Sequence, residues 1–138
     1  MTQNDHAVYP LLENEADRLH AASGRAVTTI DLDAVAAGEL SEADLQVGAD
    51  TLRAQAKIAR AGGYAELASN LLRAAELTAV PNQELLRMYE MLRPGRSTYT
   101  ELVALADKLA SNYSAAETAR FVREAADVYK TRRLLKRP

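Results

Sequence analysis

The sequence predicts an all-α fold, on three observations. Past Gly48, apolar residues recur at spacings of three and four, the period of a helix with one buried face. Between those stretches stand helix punctuation signals: Gly62-Gly63, Pro81, Pro94-Gly95 and two Ser/Thr-x-x-Glu boxes, residues that end or open helices for steric and hydrogen-bonding reasons. No segment reads as a strand, no heptad is sustained, and no internal repeat of fixed period is found. The expected architecture is about five consecutive helices in a compact orthogonal or antiparallel bundle. The expected division is an extended N-terminal arm with short helical turns over 1–47 and a helical domain over 48–138.

Within the arm, two pieces have helical character. The stretch Asp31 to Ala37 predicts two helical turns ended by Gly38, and Ser41-Glu42-Ala43-Asp44 places a capping hydroxyl before acids that favour the positive end of a helix dipole. The first long helix is predicted over ADTLRAQAKIARA, stopping at Gly62-Gly63. The second runs from Tyr64 to about Val80, with Leu67, Ala68, Leu71, Leu72, Ala75 and Ala79 on one face. Proline disfavours helical dihedrals in the residue before it and suits a first helical turn, so Val80 is read as a break and Pro81 as the opening of helix three. That helix extends to Leu92 and is expected to bury Leu85, Leu86, Tyr89 and Leu92 before the Pro94-Gly95 turn. Thr98-Tyr99-Thr100-Glu101 reads as a capping box opening a helix with Leu102, Leu105, Ala106 and Leu109 inward. Ser114-Ala115-Ala116-Glu117 reads as a second box, opening a last helix with Val122, Ala125, Ala126 and Tyr129 inward. A basic cluster follows: Lys130, Arg132, Arg133, Lys136 and Arg137, suited to the negative end of the helix dipole.

Composition bounds what such a fold can do alone. Apolar residues make up 48% of the 138, yet 27 are Ala, one is Phe and none is Trp, so the side chains that bury most area are scarce. A thin core favours burial against another polypeptide. The absence of Cys excludes disulfides and thiolate metal ligands and fits a reducing compartment. No apolar run approaches the roughly 18 to 20 residues of a bilayer span and the start carries no signal-peptide pattern, so a soluble, unexported chain is expected. Net charge is −2, but residues 1–50 carry ten acids and two bases while residues 51–138 carry nine acids and fifteen bases. That asymmetry points to electrostatic packing of the arm on its own or a neighbouring subunit.

Catalytic constellations are not found. His6 and His20 lie in the irregular arm at a spacing that fits no metal motif, and Gly62-Gly63 lacks the lysine or spaced glycines of a phosphate loop. The acid pairs Asp31/Asp33 and Glu13/Glu15 have no apolar surroundings to shift a pKa, so they read as solvated charge. The basic C-terminal cluster lacks stacking aromatics and a recognition-helix signature, which argues for a solvated or subunit-facing end over a nucleic-acid surface. Arg93 and Arg96, flanking a rigid Pro-Gly turn, are suited to bidentate pairing with carboxylates of a partner; two solvated arginines are the plainer alternative.

Four strings, TLRAQAKIARAGG, RAAELTAVP, LRPGRST and AAETARFVREAADVYKTRRLLK, in this order, resemble the small (gamma) subunit of adenosylcobalamin-dependent diol and glycerol dehydratases. The resemblance covers about residues 47–136, with fainter agreement at Tyr9-Pro10-Leu11 and across SGRAVTTIDLDAVAAGELSEADL; Thr78 and Val80 lean toward the diol branch. It implies an all-helical, non-catalytic subunit of a three-component enzyme, a dimer of heterotrimers with large and medium subunits. In such an enzyme adenosylcobalamin is held by the large and medium subunits, and a 1,2-diol such as propane-1,2-diol becomes an aldehyde plus water, the cofactor supplying the radical. Two departures limit the transfer. Gly95 stands where the family often has an aromatic, and LENEADRLHAA replaces a Lys-x-Pro-Glu-Trp-like segment. Some relatives carry longer N-terminal extensions associated with encapsulation, so the expected location is the cytoplasm, free or within a bacterial microcompartment.

No catalytic, cofactor-binding or metal residue is therefore expected in the chain. The subunit-interface candidates are Tyr9, Tyr89, Arg93 and Arg96. The rival reading is a freestanding helical interaction module that binds an acidic protein or nucleic acid through the basic C-terminal helix.

Overall fold

Residues 8–137 are described in a computed structural model of the protein, and the chain divides into two units, Met1–Ala75 and Glu76–Pro138. Among the described residues there are seven α-helices and no strand, two isolated bridges (His20 with Ala26, Ala21 with Val47) being the only β-type pairing. The all-α expectation holds.

The first unit opens with a short helix α1 (Leu11–Asn14), which follows the cis Tyr9–Pro10 peptide and buries Leu11. Three 3-10 turns (Ala16–Arg18, Val27–Thr29 and Glu42–Leu45) and a second short helix α2 (Leu32–Ala36) complete the irregular region. Asp31, read from sequence as the first helical residue and as solvated charge, instead stands outside α2 as its cap and accepts from the Ala34 N–H at 2.8 Å. Asp44 is the polar hub of this region. One carboxylate oxygen accepts from the Ser23 hydroxyl (2.5 Å), the other from the Ser41 N–H (2.6 Å) and hydroxyl (2.8 Å). Those bonds, led by Ser23, hold its carboxyl down to about 2 against an ordinary 3.8. Arg25 adds a second tie, donating to the Glu39 carbonyl at 3.1 Å and pairing with its carboxylate at 3.2 Å. Helix α3 (Ala49–Ala61) starts where predicted and ends at Gly62-Gly63. Its entry is tight: a Cβ at Gly48 would lie 2.7 Å from the His20 carbonyl oxygen, so only glycine lets the two backbones approach.

Helix α4 (Ala65–Leu77) buries Ala68 and Ala75, with Leu71 and Leu72 half-buried. Two expectations fail here. Leu67 and Ala79 are exposed, and the helix ends at Leu77, because residues 78–80 form i to i+3 turns whose amides return to Glu76 and Leu77. Pro81 is not the first helical residue either. Its ψ of 141° places it outside as the N-cap of α5 (Asn82–Met91), where its carbonyl accepts from the Leu85 N–H at 3.0 Å.

In the second unit α5 joins α6 (Tyr99–Tyr113) and α7 (Ala116–Arg132) around one core of Val80, Met88, Leu105, Ala106, Leu109, Ala115, Ala119 and Val122. The predicted inner faces of α6 and α7 are the observed ones: Leu102, Leu105, Ala106, Leu109, Val122 and Ala126 are buried, with Ala125 and Tyr129 half-buried. A two-residue link makes α6 and α7 antiparallel neighbours, matched by Tyr99 to Asp127 (3.0 Å) and Arg123 to Asp107 (2.5 Å). Helix α5 is rotated from expectation. Met88 is buried while Leu86 and Tyr89 are exposed, because NQELLRMYEML offers two apolar stripes and the core accepts Leu85, Met88 and Leu92.

The first capping box forms as predicted, Thr98 and Glu101 bonding reciprocally. The second does not. Ser114 is left-handed (φ 52°) at the C-terminus of α6, a conformation the short link needs and an N-cap cannot have, and Ala115 precedes α7 with no side-chain cap. Glu76 does the capping from 41 residues away. Its carboxylate accepts from the Glu117 N–H (2.9 Å), the Thr118 N–H (2.7 Å) and the buried Thr118 hydroxyl (2.6 Å).

Two predictions follow from these ties. Glu76→Ala leaves the first amides of α7 and a buried hydroxyl unpaired, and should lower unfolding stability by about 2 kcal/mol in urea titration. For Asp44 the folded carboxyl titrates below its unfolded value, so the stability it contributes is full above about pH 4 and lost as pH falls toward about 2. Asp44→Asn should be less stable at neutral pH and should flatten the urea midpoint against pH over that window.

Candidate functional site

Interface candidates come together at one end of α5. The helix directs Leu86 (69% exposed) and Tyr89 (59% exposed) outward at a spacing of three, with Arg93 one turn further on. Arg93 to Arg96 then form a β-turn, closed by the Arg96 N–H to Arg93 carbonyl bond at 3.2 Å, in which Gly95 takes φ +79°. Both guanidinium groups converge on one carboxylate of their own chain, Arg93 Nη1 to Glu90 Oε2 at 3.1 Å and Arg96 Nε to Glu90 Oε1 at 3.2 Å. The acid expected of a partner is thus supplied by Glu90. All three side chains are more than half exposed, so the cluster contributes little stability and leaves charge available at the surface.

The turn is held rigid from below and behind. Ser97, 5% exposed, donates its hydroxyl to the Met91 carbonyl at 2.8 Å. Glu101 accepts from the Thr98 N–H at 2.8 Å, and that bond, ahead of the Thr98 hydroxyl, keeps its carboxyl below the usual range. Tyr129 donates its hydroxyl to the Leu92 carbonyl at 2.5 Å. Arg133 ends α7 by turning left-handed (φ 58°), and the tail runs back along the turn with Arg133, Lys136 and Arg137 exposed, as expected of a solvated basic end. The Gly95 N–H donates to the Leu134 carbonyl (2.7 Å) and the Lys136 N–H to the Ser97 carbonyl (2.8 Å). Between turn and tail lies an open groove of about 470 Å³ lined by Pro94, Gly95 and Arg133 to Arg137. A second cavity of about 350 Å³ has Met88, Met91 and Leu105 among its walls and the Lys108 to Glu84 pair (2.7 Å) on its rim. Lys108, bonded to Glu84, lowers that carboxyl.

Of the other sequence candidates, His20, Asp31 and Glu15 have structural duties. Tyr9, 73% exposed, lies in the first unit, whereas Tyr89, Arg93 and Arg96 lie in the second. His6 falls outside the described residues. His20 donates its Nδ1–H to the Arg18 carbonyl at 3.2 Å. Of the acid pairs, Asp31 caps α2, and Glu15 accepts from the Val8 N–H (2.8 Å) and pairs with Arg18 (3.0 Å). Among the described residues no group of three or more His, Asp or Glu converges to hold a metal ion, and no helix is long and apolar enough to cross a membrane. Sequence reasoning missed the tail lying on the turn and the reach of Glu76. Neither has a local signature, since both join residues some 40 positions apart.

Comparison with known proteins bears on the same stretch. A family profile described as dehydratase small subunit matches residues 3–136. The propanediol dehydratase small subunit of Citrobacter freundii is 42% identical over 128 residues, covering 93% of this chain and 74% of the relative. That of Salmonella typhimurium is similar to the same degree, 42% over 128 residues with the same coverage.

The geometry of the turn is open to a direct check. A Cβ at Gly95 would meet no atom within 4 Å, so Gly95→Ala isolates the cost of positive φ. It should destabilise the fold by about 1 kcal/mol, with Gly95→Asn losing less, as read from urea midpoints.

Proposed function

The chain belongs to the dehydratase small-subunit family, and from that membership we propose that it is the non-catalytic small subunit of a propanediol dehydratase. The observation that carries this reading is a match running through residues 3–136, nearly the whole chain, to a family of small subunits. The assembled enzyme is a carbon–oxygen lyase that converts a 1,2-diol such as propane-1,2-diol to an aldehyde and water. It is a dimer of heterotrimers located in the cytoplasm, free or inside a microcompartment. Adenosylcobalamin belongs to the large and medium subunits. The two cavities described in the second unit do not fit a corrinoid: they measure about 350 and 470 Å³, are open and edged by charge, and neither has a histidine in its wall.

The role of this chain is then to stabilise the assembly. The α5 face fits that role, because Leu86 and Tyr89 form an apolar stripe beside two arginines, the composition of a protein–protein anchor. Tyr9 is a further contact candidate on the other unit. Little of the chain's apolar content is in large, fully buried side chains, Leu102 and Val122 being the largest, which supports a need for burial against a partner.

Co-expression with large and medium dehydratase subunits tests the reading. The three chains should co-purify, and diol dehydration should require added adenosylcobalamin. The pair Leu86→Ala with Tyr89→Ala should leave the isolated fold within about 0.5 kcal/mol while weakening association by about 2 kcal/mol, roughly 30-fold. A small chain that elutes alone would sink the subunit role; a double variant that assembles normally would remove the α5 face from the interface.

A further inference from the structure

We propose that the groove between the Pro94-Gly95 turn and the C-terminal tail seats an extended, acidic and partly apolar segment of a partner polypeptide. The proposal rests on the subunit reading and deepens it, by assigning a second contact distinct in chemistry from the α5 stripe.

Charge is the first support. The stretch from Lys130 to Arg137 carries five cations and no acid in a chain of net −2, so the positive field is local to this tail. Among the described residues, no ion pair takes Arg133 or Arg137. Lys136 acts on Glu101 only through space.

Rigidity is the second. A basic chain end normally loses much conformational freedom on binding, which offsets its attraction for an acid. Here the bonds from Gly95 to Leu134 and from Lys136 to Ser97 have already fixed the backbone. The arginines on either side of those bonds therefore project from an ordered strip.

The shape and polarity of the groove select the occupant. Leu134 and Leu135 are half-buried in its wall, and on the turn side Gly95 adds no side chain beside Pro94. An extended peptide alternating carboxylates with apolar side chains uses both the arginines and the leucines. A nucleic-acid strand uses only the charge, because the nearby rings are committed. The Lys130 ammonium lies 5.2 Å from the Tyr99 ring centroid, the Tyr99 hydroxyl bonds Asp127, and the Tyr129 hydroxyl bonds Leu92. Neither ring lines the groove to stack a base.

The test compares the full chain with Arg133→Glu/Arg137→Glu and with the neutral pair Arg133→Gln/Arg137→Gln. Affinity for a preformed complex of large and medium subunits is measured from about 50 to about 300 mM NaCl, where screening separates charge-driven association from apolar association. Charge reversal is expected to weaken binding by about 10-fold or more at low salt and to flatten its salt dependence, with the neutral pair intermediate. Unchanged circular dichroism and urea midpoint confirm that the fold is intact. Reversal variants that bind with wild-type affinity and salt slope overturn the groove and leave the subunit reading standing. A wild-type chain that fails to bind the subunits overturns both. Tight, salt-sensitive binding of a single-stranded oligonucleotide that is lost on reversal, with subunit binding unaffected, reassigns the groove to nucleic acid.

Discussion

The large share of buried positions held by alanine, in both units, is the constraint on which the rest of this structure depends. Ala56, Ala59, Ala68, Ala75, Ala106, Ala115, Ala119 and Ala126 are all buried, and the largest side chains removed completely from solvent are Leu102 and Val122. Alanine lets helices form readily but buries little area and gives few interlocking shapes to fix how they meet. Polar bonds take over that task at the points where position matters. Glu76 fixes the start of α7, Asp44 gathers Ser23 and Ser41, and Tyr129 with the tail amides holds the turn after α5. Each is a carboxylate, hydroxyl or amide with a single geometry, so each specifies register in a way that small apolar contacts do not.

The same scarcity explains how the surface is used. Bulky apolar side chains are few, yet Leu32, Leu45, Leu86 and Tyr89 are spent on the outside, each more than half exposed. In a chain with a surplus of such residues this would be unremarkable surface. In this one it leaves little bulk for the interior, and the chain belongs to a family of dehydratase small subunits. Among the described residues, Asp31, Glu15 and His20 are engaged in a cap and in turns. The tail adds exposed cations, Arg133, Lys136 and Arg137, beside the half-buried Leu134 and Leu135.

Much of this was legible in the sequence because it depends on contacts within a few residues. The Thr98 to Glu101 box, the inner faces of α6 and α7 and the Gly62-Gly63 stop all come from spacing and local hydrogen bonding. Two of the errors share one cause. NQELLRMYEML is apolar on two adjacent stripes, and Ser114-Ala115-Ala116-Glu117 is a valid capping box as a string. In both cases local rules allow two answers, and a distant element chooses between them.

Sequence alone determined the all-α class, the order of the long helices, the thinness of the core and the family to which the chain belongs. Each of these is a property of composition or of residues close in the chain. Only the tertiary structure decided that Met88 faces inward and Tyr89 outward, that Glu76 caps a helix 41 residues later, and that the basic tail lies along the turn at Gly95. The reason is physical: a helix face, an unpaired amide and a free backbone edge are satisfied by whichever partner folding brings within about 3 Å, and that partner leaves no trace in the neighbouring letters.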